Sequence, residues 1–266
     1  MMRGLFKPKT KNLLLAMIAT DFKIRYQSSV LGYFWSFIRP LSLFLILYVV
    51  YAKIFKIGAG IPHYSVYLLL GIMIWNFFAE STSAGLGSIL ERGELIRKVQ
   101  IPRYTIVITA VSSAAINLVI NLCIVFVFAI ILGVNFNVYG LLYFPFLIIE
   151  LILAALAVSF TLSILYVRYR DIKYIWELFL QIAFYATPIV YSISRIPNKY
   201  QAFLAVNPIY QIMQSLRYYF VTDQTITTWN TLGYIKGFIP IIVVCLVVGF
   251  SVFYFKKNIG SIAEEL

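Results

Sequence analysis

The sequence predicts an all-α integral membrane protein, and three observations lead to that prediction. Of the 266 residues, 62% are hydrophobic and only 12% are charged, whereas soluble domains usually contain about 45–50% apolar and about 25% charged residues. The apolar residues are gathered into long stretches with few interruptions. The 22 Phe and 20 Tyr residues exclude intrinsic disorder, because so many large rings cannot remain solvated.

Six stretches are long enough to cross a bilayer, which requires about 20 mainly apolar residues. They cover residues 33–52, 64–90, 104–132, 139–167, 174–193 and 234–255. Their length excludes strands and none alternates with period two, so six transmembrane helices are predicted. Three of them carry a carboxylate, at Glu80, Glu150 and Glu177. Hydrogen bonding between helices, lining of a path and proton transfer remain open for these groups.

Residues 10–31 precede the first span and predict an N-terminal amphipathic interfacial helix. Leu15, Ile18, Phe22 and Tyr26 fall at spacings of three and four, so they share one face. A basic helix of this kind lies in the headgroup plane rather than crossing the bilayer. A helix packed on the protein itself is the alternative. A cleaved signal peptide is disfavoured, because charged residues follow the short apolar run at once and no small-x-small cleavage site precedes the first span.

The basic residues fall unequally on the two sides that six spans create. The 22 Lys and Arg residues exceed the 10 Asp and Glu residues by 12 charges. Sixteen of the 22 lie on the side of the two termini and six on the other side. The positive-inside rule therefore places both termini in the cytoplasm. Since the charge excess reports topology, no nucleic-acid partner is expected.

Residues 194–233 lie outside the membrane in this topology, yet they are too apolar for a simple loop. Pro197 and Pro208 interrupt the segment, because proline removes a backbone donor and clashes with the preceding turn. The apolar pieces 200–206 and 209–221 are each too short to span. We predict re-entrant outer helices between spans five and six that form a wall or lid of a path. An external amphipathic cap is the alternative.

Sequence motifs for catalysis and metal binding are missing. The chain has no G-x-x-x-x-G-K-[ST] phosphate loop, no G-x-S-x-G elbow and no H-E-x-x-H motif. His63 is the single histidine, and Cys123 and Cys245 lie inside apolar runs, where we expect them to be buried fillers. A His/Cys metal cluster is thereby excluded. These absences favour a conduit over an enzyme.

Aromatic residues make up 17% of the chain, and some belong to the usual belt at the membrane interface. Trp75, Phe77, Tyr185 and Tyr191 lie deeper or close to the outer segment. Aromatic faces stack on the apolar C–H edges of sugar rings, so these four residues are candidates for the lining of a glycan path. Ordinary packing remains the alternative for each.

The cytosolic loop at residues 91–103 has the pattern of a short docking helix. Glu94 lies three and four residues before Arg97 and Lys98, spacings that stabilise an exposed helical turn. Leu95 begins an apolar side. Such a helix can dock into a groove on a partner protein, although a solvated connector has the same pattern.

An ordered set of sequence pieces resembles the permease subunits of ABC-2 type transporters, specifically the bacterial polysaccharide and O-antigen export family. The pieces are DFKIRYQSSVLGYFWS at 21–36, Arg39-Pro40, ELIRKVQIPR at 94–103, RYRD at 168–171, TPIVY at 187–191, Asn207-Pro208 and AEEL at 263–266. They extend over nearly the whole chain and occur in the order of that family. The resemblance implies a single transmembrane domain over residues 1–266.

The resemblance also implies function and partners. The chain would be a multi-pass permease subunit in the bacterial inner membrane, active in lipopolysaccharide biosynthesis as a homodimer with two ATP-binding subunits. ATP and Mg would bind to the partner ATPase, and this chain would carry no cofactor and no catalytic residue. The substrate would be a lipid-linked glycan. Teichoic acid, capsule lipid or another amphiphile remain alternative cargoes, and a membrane-embedded transferase or an ion-coupled carrier are alternatives of other classes.

The resemblance implies two groups of site residues. Glu94, Leu95, Arg97 and Lys98 would couple the chain to the ATPase. Lys23, Arg25 and Arg39 would attract the lipid diphosphate at the cytosolic entrance, since cations there pair with phosphate oxygens.

Overall fold

The computed structural model describes residues 8–27, 34–93 and 101–260, and these ranges contain helices and turns but no strand. The α-helices within them are α1 Pro8–Gln27, α2 Trp35–Tyr48, α3 Tyr64–Glu91, α4 Arg103–Ile131, α5 Val138–Arg168, α6 Ile172–Ala186, α7 Asn198–Ala205, α8 Pro208–Phe220, α9 Thr228–Lys236 and α10 Ile239–Asn258. A π-helical turn, Val49–Ile54, extends α2, and the 3₁₀ turn Ile193–Arg195 follows α6. The prediction of an all-α fold is confirmed.

Five helical segments in the described part of the chain are long and apolar enough to cross a membrane. They are Trp35–Ile54, Tyr64–Glu91, Arg103–Ile131, Tyr139–Arg168 and Ile239–Asn258. They correspond to the first four predicted spans and the sixth. The last begins five residues later than predicted, after a turn at residues 237–238, and Pro240 lies in its first turn.

The helix in the fifth predicted span is shorter than expected. α6 has 15 residues and is therefore about 22 Å long, less than the roughly 30 Å of the hydrocarbon core. It ends at Ala186 because Thr187 precedes a proline and is extended, with ψ at 134°. The chain then continues to Ile193 without helical hydrogen bonds.

α3 lies at the centre of the bundle. It contacts α2, α4, α5, α6 and α8, and 78% of its most apolar 18-residue stretch is buried. Gly85 brings α3 close to α5, because a Cβ at this position would lie 2.4 Å from the Cβ of Ser159. Ser159 also donates a hydrogen bond to the carbonyl of Ser81 across this contact, at 3.3 Å.

One of the three intramembrane carboxylates makes a hydrogen bond between helices. Glu80 of α3 accepts from Asn117 Nδ2 of α4 at 2.9 Å. Glu150 of α5 lies beside Gln211 of α8, and its Oε1 is buried without a hydrogen-bond partner among the described residues. Glu177 lies exposed on α6. For Glu80 the structure thus supports helix pairing among the three roles left open by the sequence.

α1 forms in the predicted region, and one of its faces packs on the bundle. The helix contacts α4; Leu14, Met17, Ile18 and Asp21 are half-buried, while Leu15 is exposed. The spacing of 14, 17, 18 and 21 places these residues on one face. This face packs on the protein itself, which is the alternative that the sequence left open, and the role of α1 as an interfacial helix stays a prediction.

The two cysteines were also expected in the core, and this expectation was wrong. Cys123 on α4 and Cys245 on α10 are both exposed free thiols. Each helix is apolar around most of its circumference, so hydropathy alone did not distinguish the face that packs from the face turned outward.

Candidate functional site

The predicted cytosolic entrance contains two basic residues whose side chains the structure describes. Lys23 is exposed on α1, and Arg39 is exposed near the start of α2, beside the buried Pro40. The backbone of Arg25 continues α1, but its side chain lies outside the described part. Both described cations are accessible to an anionic headgroup.

The predicted coupling segment, residues 91–103, is attached to the bundle at both ends. Near its start, Arg92 forms an ion pair with Asp21 of α1. At its end, Arg103 donates a hydrogen bond to the carbonyl of Ile259, just after α10. A movement of the segment would therefore be transmitted to α1 and to the end of α10.

Four coupling residues of the sequence prediction, Glu94, Leu95, Arg97 and Lys98, lie outside the described residues. The attachments at Arg92 and Arg103 consequently define the two ends of the segment, while the short docking helix itself stays a prediction.

The four candidate glycan-path aromatics lie in two different environments. Trp75 and Phe77 of α3 are buried in the core of the chain, with only 5% and 3% of each residue exposed. Tyr185, at the end of α6, is 61% exposed. Tyr191 is half-buried, and its hydroxyl donates to the carbonyl of Tyr185 at 2.9 Å.

Two of these four residues, Trp75 and Tyr185, are nevertheless connected through Phe184. The rings of Trp75 and Phe184 are 6.0 Å apart in an edge-to-face arrangement, and the rings of Phe184 and Tyr185 are 5.2 Å apart. Trp75 thus supports α6 from behind, and Tyr185 is the ring that faces outward. Within the described residues, the Phe77 ring forms no aromatic pair with Trp75, Phe184 or Tyr185.

The outer segment contains the short helices that its prolines predicted, α7 and α8, and a third helix, α9. Asn207 caps α8 by accepting from the backbone N–H of Ile209 at 2.9 Å, and Pro208 occupies the first turn. Thr227 and Asn230 form a capping box at the start of α9. The sequence prediction of two short helices did not include this third one.

Arg217 of α8 is the buried centre of the outer segment. It is fully buried and donates to three backbone carbonyls: Nε to Tyr67 at 3.1 Å, Nη1 to Pro188 at 2.9 Å and Nη2 to Ile189 at 2.6 Å. Its guanidinium also lies 3.5 Å from the centroid of the Tyr67 ring. A planar guanidinium with five N–H donors can serve several acceptors at once, which an ammonium group cannot do with the same geometry.

This arrangement explains how the chain continues after α6. The carbonyls of Pro188 and Ile189 follow the end of the helix, and that of Val190 accepts from the hydroxyl of Tyr64 at 2.6 Å. Sequence reasoning counted Arg217 only as an outer charge. The informative signal was a single charged residue, Arg217, in a short outer helix that follows the Thr187-Pro188 break in a predicted span.

Comparison with known protein families shows what kind of membrane protein this is. The family described as ABC-2 type transporter matches residues 12–221, which include α1 to α8. The chain belongs to the ABC-2 type transporter family. Together with five helices able to cross a bilayer, this membership makes it a multi-pass membrane protein of an ABC transport system.

Several relatives of this ABC-2 chain carry the name O-antigen export system permease protein RfbA. Two are from Klebsiella pneumoniae and are 28% identical to it, one over 232 residues (87% of this chain and 89% of the relative) and one over 242 residues (91% of each). A third, from Myxococcus xanthus, is 27% identical over 207 residues, 77% of this chain and 78% of the relative.

Proposed function

We propose that this ABC-2 chain is the channel-forming subunit of an ATP-driven exporter that moves a lipid-linked polysaccharide of the O-antigen type across the bacterial inner membrane. The observation that carries the proposal is the similarity to O-antigen export permeases over about nine-tenths of both chains. The missing phosphate loop fits this role, because ATP and Mg would bind to a separate ATPase subunit.

The attachments of residues 91–103 support the proposed coupling to that ATPase. Arg92 bonds to α1 and Arg103 bonds to the end of α10, so a docked partner would act on two helices through one short segment. Glu94, Leu95, Arg97 and Lys98 would form the surface that the ATPase contacts.

The hydrogen bonds after α6 support a sixth span. Non-helical backbone at membrane depth must find its partners within the protein, and Arg217 and Tyr64 provide donors for the carbonyls of residues 188–190. α6 and residues 187–193 would together form this span. Six spans then place both termini in the cytoplasm, as the charge distribution indicates.

The exposed apolar faces of α2 and α6 support a homodimer. Only 6% of the most apolar 18-residue stretch within Trp35–Ile54 is buried, and α6 exposes Tyr174, Leu178, Ile182 and Tyr185 on one face. A second copy against these faces would enclose a path between the subunits, with Tyr185 toward the glycan. Lys23, Arg25 and Arg39 would receive the diphosphate on the cytosolic side.

Deletion and complementation test the proposed function. In a strain that lacks this chain, we expect lipid-linked glycan to accumulate inside the cell and surface polysaccharide to disappear. The wild-type gene should restore export, whereas Arg97→Glu/Lys98→Glu should insert into the membrane but restore neither export nor coupled ATPase activity. The matched control, Lys56→Glu/Lys199→Glu, reverses two outer charges and should complement.

Two results would contradict the proposal. Normal surface polysaccharide in the deletion strain would exclude the exporter role. Accumulation of teichoic acid or another amphiphile in place of the polysaccharide would assign a different cargo to the same machinery.

A further inference from the structure

A polar cavity of about 230 Å³ lies at the outer end of the chain. It is formed where the loop between α2 and α3, the first turn of α3, the turn at residues 192–195, and α8 with the turn that follows it come together. Every one of these segments lies on the side opposite the termini in the six-span topology. The cavity is separate from the cytosolic entrance and from the exposed face of α6.

The lining has the chemistry of a site for a hydroxyl-rich molecule. Two serines, two threonines and two glutamines line the cavity, and Arg195 is the charged residue among them. Hydroxyl and amide groups both donate and accept hydrogen bonds, as sugar hydroxyls do. The lining contains no carboxylate, so the cavity is not suited to a metal cation.

One buried group in the lining lacks a hydrogen-bond partner. Thr225 is 7% exposed, and among the residues that the structure describes none bonds to its Oγ1. Buried hydroxyls are nearly always paired, so an unpaired one beside a polar cavity indicates a partner that enters from outside the chain. A ligand hydroxyl would satisfy it.

A second lining group is held in place by the buried arginine. Gln214 is 1% exposed and its Oε1 accepts from Arg217 Nη1 at 3.5 Å. On the opposite wall, Arg195 donates to the carbonyl of Ile57 at 3.0 Å, which ties the turn after α6 to the loop before α3. The walls of the cavity are therefore fixed by bonds within the chain.

The volume limits the size of the ligand. It is close to the liquid volume of about eight water molecules, which is enough for one sugar ring. The cavity is partly open, so the rest of a polysaccharide can continue outside it. We infer that this cavity binds one pyranose unit of the polysaccharide at the outer face. The inference rests on the proposed function and adds to it an outer glycan subsite within each subunit.

Saturation-transfer NMR on the full chain in lipid nanodiscs tests the inference. The probes are the methyl glycosides of mannose, galactose and rhamnose, and the one-repeat oligosaccharide released from the polysaccharide of the same strain. We expect at least one methyl glycoside to bind and the oligosaccharide to compete with it. Thr225→Val and Ala59→Trp should each weaken binding at least tenfold, the first by removing the unpaired hydroxyl and the second by filling the cavity from an exposed loop position.

Ala202→Trp is the matched control, because Ala202 is an exposed alanine on the outer helix α7 that does not line the cavity. The Ala202→Trp variant should bind the probes with the same affinity as the wild type. Absence of binding by every probe, or equal binding by Ala59→Trp and wild type, would overturn the inference. Binding of methyl glycosides without competition by the oligosaccharide would overturn the assignment to the exported glycan and indicate a site for free sugar. The deletion experiment reports separately on the proposed function.

Discussion

Arg217 places a positive charge in the interior of the chain, and its hydrogen bonds go to three backbone carbonyls and to Gln214 rather than to a carboxylate. Such a charge is costly to bury unless every donor finds an acceptor. The free backbone carbonyls after α6 and that of Tyr67 provide the acceptors. The arginine and the broken helix therefore stabilise each other, since each has polar groups that the other satisfies.

Arg217→Lys should lower the free energy of unfolding by about 3 kcal/mol, because hydrogen bonds to charged groups are worth about 1.5–3 kcal/mol each and an ammonium cannot reach all three carbonyls. Reversible SDS unfolding in mixed micelles measures the change. Arg195→Lys, at an exposed arginine of the same outer face, is the control and should change stability by less than about 1 kcal/mol. If Arg217→Lys and Arg195→Lys were equally stable, Arg217 would not be the residue that stabilises the outer segment.

Gly71 gives a second test of the same contact, because a Cβ at this position would lie 2.2 Å from Arg217 Nη2. Gly71→Ala should destabilise the wild type, as the guanidinium must move away from its carbonyls. In an Arg217→Met background, the same change should cost much less. Additive effects in this double-mutant cycle would show that the two positions act independently.

The cytosolic cations lead to a prediction about export. Lys23→Glu/Arg25→Glu should reduce the export rate of lipid-linked glycan severalfold, because the reversed charges repel the diphosphate. Pulse-labelled surface polysaccharide measures the rate, and Lys11→Glu, at an exposed position on the same helix, is the control. An unchanged rate with normal membrane insertion would count against an entrance at α1.

Among the elements, α1 is connected to the coupling segment through the Asp21–Arg92 ion pair. Asp21→Arg and Arg92→Asp should each reduce glycan-stimulated ATPase activity severalfold in the assembled transporter. The double variant Asp21→Arg/Arg92→Asp should recover at least half of it, because the pair is restored with its charges exchanged. Asp171→Arg, at an exposed cytosolic aspartate, serves as control. No recovery in the exchanged variant would indicate that the two residues act separately.

α6 shows why a helix can end before the apolar stretch that predicts it. Residues 174–193 are apolar enough to predict one helix, yet Pro188 restricts the preceding residue to extended backbone and the helix ends at Ala186. The proline was visible in the sequence. The donor that replaces the lost helical hydrogen bonds could not be identified from the sequence, because Arg217 lies almost thirty residues further along the chain.

At the scale of the whole molecule, the six-span topology makes a prediction about labelling. In a cysteine-free background with Cys123→Ser and Cys245→Ser, an impermeant maleimide applied to spheroplasts should label Ala202→Cys. Lys11→Cys and Lys257→Cys should react only after the membrane is permeabilised. If only one of Lys11→Cys and Lys257→Cys reacted in intact spheroplasts, the number of spans would be odd. If both reacted in intact spheroplasts, both termini would lie on the outer side of the membrane.

Part of the candidate site followed from the sequence and part did not. Exposure of Lys23 and Arg39 was expected from charge, and the helices on either side of Asn207-Pro208 from turn chemistry. The burial of Trp75 and Phe77 in the core of the subunit could not be separated from a path-lining role, because an aromatic residue in a span has the same hydropathy in either place.

The sequence by itself determined the membrane class, four complete spans, the greater part of another and the family resemblance. These properties depend on composition, apolar length and local backbone chemistry, all of which are present in the linear chain. Only the tertiary structure decided which face of α1 packs, where Arg217 places its donors, how the chain continues after α6 and that a polar cavity exists at the outer end. Each of these depends on contacts between residues far apart in sequence, such as Arg217 with Tyr67, and no local pattern encodes them.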